Sequence, residues 1–260
     1  MNLNDIKNIL PTTVVENLLG PASDAIGKAL GSALYLGLGW LIKPGIVKKA
    51  ELDDFSYKVN KKYQQIPAIN RSDEKSVLAL KAMEESKYQL NEEILREMFS
   101  QLIANSVDNR HNNDVSPRFA TVLSQLSGTD AKFFKFLVQN CNGDIPYGYL
   151  IEYTKEYGPY HPITHKLYLS SGQSSTHLFS KVPQATVDTL SSLGLINYSE
   201  DKFPASKEFD HKYSIIENYI RHQVSSYTEV LKPEKLELIE FKQGNIEVSE
   251  FGKRFANAIL

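Results

Sequence analysis

Between Leu90 and Val107 apolar residues return every three or four positions, at Ile94, Leu95, Met98, Phe99, Leu102 and Ile103. That period lines one broad face of an α-helix, and a face this wide has to be covered by other elements. Asn91 is placed to cap the start, and Glu92 and Glu93 suit the positive end of the helix dipole. The same signature recurs on both sides. Leu52, Phe55, Val59, Tyr63 and Ile66 form a stripe that stops at Pro67. Val77, Leu80 and Met83 form another after Ser72, Asp73 and Glu74, and Ser116-Pro117 opens a third with Phe119, Val122, Leu123 and Leu126. The connections are short, so these helices should pack as antiparallel neighbours.

The stretch before them, Gly20 to Gly45, is of another kind. From Ala25 to Ile42 it carries a single charge, Lys28, and four glycines. Glycine costs about 1 kcal/mol against alanine inside a helix, so its repetition points to close approach by another backbone or by lipid. Gly27, Gly31, Gly37, Gly39 and Trp40 are therefore the candidate residues for tight packing or membrane contact. Eighteen residues are at the short end of a membrane span, which favours a buried helix that could reach a membrane only by leaving its partners.

After Gly128 the pattern changes. Ala131, Phe133, Phe134, Phe136, Leu137 and Val138 form a helix capped by Ser127 or Thr129 and ended by Asn142-Gly143. Six tyrosines from Tyr147 to Tyr168 follow, in a segment that Pro146, Gly148, Gly158, Pro159 and Pro162 divide into short pieces. Residues 170–180 read as a polar loop. A helix begins at Pro183 and ends at Gly194, which suits a left-handed cap before a strand. Tyr213 to Leu231 is helical in pattern. Leu236 to Phe241 and Ile246 to Val248 read as a hairpin about Lys242-Gln243-Gly244-Asn245, and Ser249 caps a closing helix. The expected fold is mainly α: a helical domain over 1–127, then a smaller α+β, winged-helix-like domain over 128–260.

Charge tests the nucleic-acid version of that fold. Residues 1–128 balance at 0 and residues 129–260 sum to −2, without the basic excess that phosphate neutralisation requires. The helix that would read bases, Pro183 to Leu193, has no Lys or Arg, which leaves Lys181, Lys202 and Lys242 as the candidate nucleic-acid contacts. No catalytic, metal or cofactor constellation emerges. His161 and His165 have metal-ligand spacing, but Pro162 breaks the helix that would align them and no third ligand lies close by. Residues 170–175 match neither a nucleophile elbow nor a phosphate loop. Cys141, the single cysteine, excludes an intrachain disulfide and fits a reducing cytoplasm; the opening MNLNDIKNILP does not read as a secretory signal.

The order of the helical pieces carries a family likeness. LNEEILREMFSQLIANSVD, a short polar gap, and VSPRFATVLSQLSGTDAKFFKFL resemble the bacterial abortive-infection alpha family. The upstream glycine-rich stretch, the Pro67 break and the terminal VSEFGKRFANAIL look like it as well, and Arg96 to Asp108 is the most specific part. The resemblance implies an all-helical front half and a role in limiting phage propagation, and brings no catalytic residues with it. The resulting expectation is a non-enzymatic, cytoplasmic phage-defence protein without a cofactor. Its partners would be a protein or further copies of itself, with membrane association on activation. The alternative is a winged-helix nucleic-acid-binding regulator.

Overall fold

The computed structural model describes Leu38, Gly45 and residues 48–155, 158–171, 176–179, 182–200, 206–228 and 238–260. Among them are eight α-helices and one antiparallel sheet of six strands, so the fold is α+β with helix predominant. The chain divides into two compact units, Met1–Lys132 with Lys253–Leu260, and Phe133–Gly252.

The first unit is helical. Helix α1 (Lys49–Gln64) buries Leu52, Phe55, Val59 and Tyr63, the stripe its sequence spaces three and four apart. Helix α2 (Ser76–Ser86) and helix α3 (Glu93–Asn105) follow, and α3 packs on both. The start of α3 departs from expectation: Asn91 is not its cap. A turn in which Glu92 N donates to the Gln89 carbonyl at 3.2 Å takes up Asn91, and the helix begins after Glu92. Helix α4 (Pro117–Ser124) does start as expected, with Pro117 in its first turn and the Ser116 hydroxyl accepting from Arg118 N at 3.4 Å. At the chain end, helix α8 (Glu250–Ile259) brings Phe255 edge-on to Phe119, with centroids 5.4 Å apart. Asn105 Nδ2 also donates to the Ala258 carbonyl at 3.0 Å.

Ser127 and Asp130 cap helix α5 (Gly128–Asn140) reciprocally: Asp130 N donates to Ser127 Oγ at 3.2 Å, and Ser127 N to Asp130 Oδ2 at 2.9 Å. The second unit is built on the sheet. Its strands are β1 (Asp144–Tyr153), β2 (Tyr160–Pro162), β3 (Leu167–Ser171), β4 (Thr176–Phe179), β5 (Ile196–Ser199) and β6 (Ile239–Val248). The order is β4-β3-β1-β6-β5, with β2 also on β1. Helix α6 (Gln184–Ser192) precedes β5, and Gly194, at φ +75°, makes the left-handed turn between them. Helix α7 (Lys207–Thr228) covers one face of the sheet, where Phe209, Tyr213, Ile216 and Ile220 pack on Leu150, Leu167 and Leu169.

Three local readings are overturned here. The tyrosine-rich segment is not broken at Pro146 and Gly148; it forms the long central strand β1. Residues 170–180 are not simply a loop, because β3 and β4 pair through Ser171↔Thr176 to Tyr168↔Phe179. Lys242–Asn245 is no hairpin turn but the middle of β6, paired with β1 from Asp144↔Glu247 to Glu152↔Ile239. The common cause is that a ladder to a distant strand satisfies backbone groups that local propensity leaves undecided.

Candidate functional site

The sheet face away from α7 carries the most organised polar cluster among the described residues. Alternation along β1 sends Tyr147 and Tyr149 to this face, and the register Tyr147↔Tyr168 sets the tyrosine of β3 beside them. Tyr147 and Tyr198 stack with centroids 5.5 Å apart and planes 4° from parallel, while Tyr168 tilts against Tyr147 at 5.2 Å. Lys166, just before β3, lies among these rings, its Nζ 5.3 Å from the Tyr147 centroid, 5.4 Å from that of Tyr149 and 5.1 Å from that of Tyr198. Ring faces are electron-rich, so this is a cage for a positive charge.

Hydrogen bonds close the cage. Lys166 Nζ donates to the Tyr198 hydroxyl and, at 2.7 Å, to Glu200 Oε1; the Tyr198 hydroxyl donates to the same carboxylate oxygen at 2.9 Å. Tyr147 donates to the Ser199 carbonyl at 3.1 Å. Burial disfavours the Lys166 ammonium, but the bonds to Glu200 and Tyr198 outweigh it and raise the lysine above its ordinary value. Glu200 is lowered, chiefly by its bond to Lys166. Burial pushes Tyr147 and Tyr149 up, and Tyr168 up to about 12. Each shift favours a fixed ion pair among neutral rings. That suits recognition of charge and shape better than proton transfer near neutrality.

A second polar constellation lies in the helical unit. Asp108 is buried and accepts from Arg110 through Nε at 2.9 and 3.1 Å and through the backbone N at 3.1 Å. It also forms a β-bridge with Arg71. Burial would raise its carboxyl, but the Arg110 bonds overcome that and lower it. Along α1 and α3 runs a ladder of charge: Arg96 Nε is 2.7 Å from Asp54, Lys58 Nζ 3.1 Å from Asp54 and Lys62 Nζ 2.6 Å from Glu97. These pairs account for the charged positions in the segment from Arg96 to Asp108.

Of the residues nominated from sequence, Gly27, Gly31, Gly37, Gly39, Trp40, Lys181 and Lys202 lie outside the described residues. Within the glycine-rich stretch Leu38 is helical and buried, and Gly45 is an exposed turn. Lys242 is described: its Nζ is 2.8 Å from Glu240 Oε1 and 6.0 Å from the Tyr160 ring centroid. His161 sits on the edge strand β2, 3.6 Å from Glu152, and no group of three metal-ligating side chains forms among the described residues. Cys141 is buried, and burial pushes its thiol up to about 12. Lys166, Tyr198 and Glu200 were not singled out from sequence. The spacing of Tyr147 and Tyr149, two apart, was the one available signal, and it needed the strand to be recognised first.

A helical unit joined to a six-stranded sheet, with a caged cation, is the frame into which the family evidence fits. Residues 47–259 match the abortive infection alpha family, and the chain belongs to that family. No curated protein and no solved structure matches it. No helix among the described residues is long and apolar enough to cross a membrane.

Proposed function

We propose that this chain is a cytoplasmic phage-defence protein that acts through contact with a protein partner or further copies of itself, with no chemical step of its own. The carrying observation is the family match over 47–259. Support for contact at the caged cluster comes from its geometry, a Lys166–Glu200 ion pair held among stacked tyrosine rings. Lys166, Tyr147 and Tyr168 there also move away from neutrality, opposite to what an activated base or nucleophile needs. In this reading the sheet-containing unit receives the partner and the helical unit transmits the response, the glycine-rich stretch reaching a membrane only on activation. The test is expression in a phage-sensitive bacterium. Fewer plaques, with infected cells arresting or dying before they burst, are expected. Equal plaque counts with and without the protein across a phage panel would sink the proposal, and cell fractionation during infection tests the membrane step.

The nucleic-acid reading retains one observation, the polar exposed side of α6, where Gln184 donates to Asp188 at 3.0 Å. It would treat α6 and the β5–β6 pair as a winged helix, although α7 separates these two strands in sequence. A gel shift that stays negative at low salt, where counterion release favours binding most, removes it.

A further inference from the structure

We propose that the cleft where α2 and α4 end is a binding site for a single ammonium or guanidinium group. It has a volume of about 270 Å³ and is lined by Glu84, Glu85, Lys87, Tyr88, Gln89 and Ser124. Three features of different origin agree on the sign of the ligand.

The first is backbone electrostatics. Helix α2 ends at Ser86 and α4 at Ser124, so two C-terminal helix ends, each carrying partial negative charge, meet at one cleft. The second is side-chain charge: two carboxylates face one ammonium. Glu85 is fixed in place, accepting from the Ser124 hydroxyl at 2.9 Å and the Thr121 hydroxyl at 3.3 Å. Glu84 is half-buried at the cleft and makes no ion pair among the described residues. The third is the ring of Tyr88, which is 62% exposed and already has the Lys87 ammonium 5.1 Å from its centroid. Gln89 Nε2 donates to the Ser124 carbonyl at 2.6 Å, so the turn after α2 is tied to the end of α4 and the walls are preformed.

Size narrows the class. Sites for drug-sized ligands run from roughly 300 to 1,000 Å³, so this cleft suits one side chain or a small amine and not a nucleotide. The ligand chemistry is a cation on a slim aliphatic stem, from either a protein lysine or arginine or a free polyamine. The proposal deepens the contact-based reading by naming the chemistry of one contact. Binding is read on the purified chain, so its failure and the failure of the plaque assay are separate results.

The experiment titrates the isotope-labelled full chain with N-acetyl-arginine methylamide, spermidine and, as anionic control, N-acetyl-glutamate methylamide, following amide shifts. Both cations should give saturable shifts that weaken with salt, and the glutamate compound none. Glu84→Gln and Tyr88→Ala should each weaken binding by about fivefold, the size expected of one exposed cation contact. Lys87→Met should tighten it by removing the internal competitor, a gain that unfolding cannot imitate. Stronger binding of the arginine compound points to a protein side chain, and stronger binding of spermidine to a polyamine; either supports the site. Absence of saturation, equal binding of the glutamate compound, or affinities unchanged in all three variants would overturn it.

Discussion

Tyr147 and Gly244 face each other across the β1–β6 ladder, and the ring of the one fills the space where a side chain on the other would stand. A Cβ at Gly244 would strike the Tyr147 ring and the Ser199 carbonyl, which belongs to backbone and cannot swing aside. Gly244→Ala is therefore expected to destabilise the sheet by about 2 kcal/mol through overpacking. Gly194→Ala should cost only about 1 kcal/mol, since its φ of +75° is strained for alanine but the space around it is open. Urea titration of both variants, followed by tyrosine fluorescence, measures the difference; equal losses would contradict the steric account.

The pair of Lys166 and Glu200 sets opposite pH limits. Glu200 is lowered, so its contribution is present above the ordinary carboxylate value of 4.5 and lost as pH falls through its lower folded value. Lys166 is raised, so its contribution is complete below 10.5 and lost as pH rises through its higher folded value. Near neutrality both are in force. Lys166→Met should cost about 1 kcal/mol there, the pair being partly open to solvent. It should also remove the acid loss at Glu200 and the lysine's share of the alkaline loss, leaving the share of the raised Tyr147, Tyr149 and Tyr168; stability curves from pH 3 to pH 11 show this.

Removing either side of the Asp108–Arg110 pair should have unequal effects. The Asp108 side chain is 3% exposed and that of Arg110 49%, so Arg110→Met strands a buried carboxylate while Asp108→Asn leaves a cation that water can solvate. The expected order is a larger loss for Arg110→Met than for Asp108→Asn. Because Asp108 is lowered, the wild-type advantage should fade in acid, as pH drops below 3.8. Denaturation at pH 7 and pH 3 reads both.

Asp144 runs the other way. Burial raises its carboxyl, Glu247 stands opposite it in the ladder, and its Oδ1 is buried without a hydrogen-bond partner, as is Oδ1 of Asn245. Its contribution is complete below 3.8 and lost as pH rises through the raised value. Asp144→Asn should thus stabilise the protein at pH 7 by up to about 1 kcal/mol and remove that pH dependence, as thermal melts between pH 4 and pH 7 would record. A variant less stable than wild type at pH 7 would show that the hydrogen bond with Asn245 and the attraction to Lys212 dominate.

The helices were legible because their physics is local. The stripes of α1 and α3, the Ser116-Pro117 start of α4 and the Ser127 cap of α5 each depend on residues within a few positions of one another. Their order and spacing also carried the family likeness that the match over 47–259 bears out. The sheet was not legible in this way. Pro146 and Gly148 look like breaks, and Lys242–Asn245 looks like a turn, until β1 and β6 are paired across about ninety residues. The cage around Lys166 depends on that pairing, since its tyrosines and Glu200 come from separate strands and their flanks. The sequence alone thus determined where the chain coils into helices and what family it belongs to. Tertiary structure decided which strands meet, and with them which charge is caged, because backbone ladders and ring contacts between distant residues leave no periodic trace in either segment.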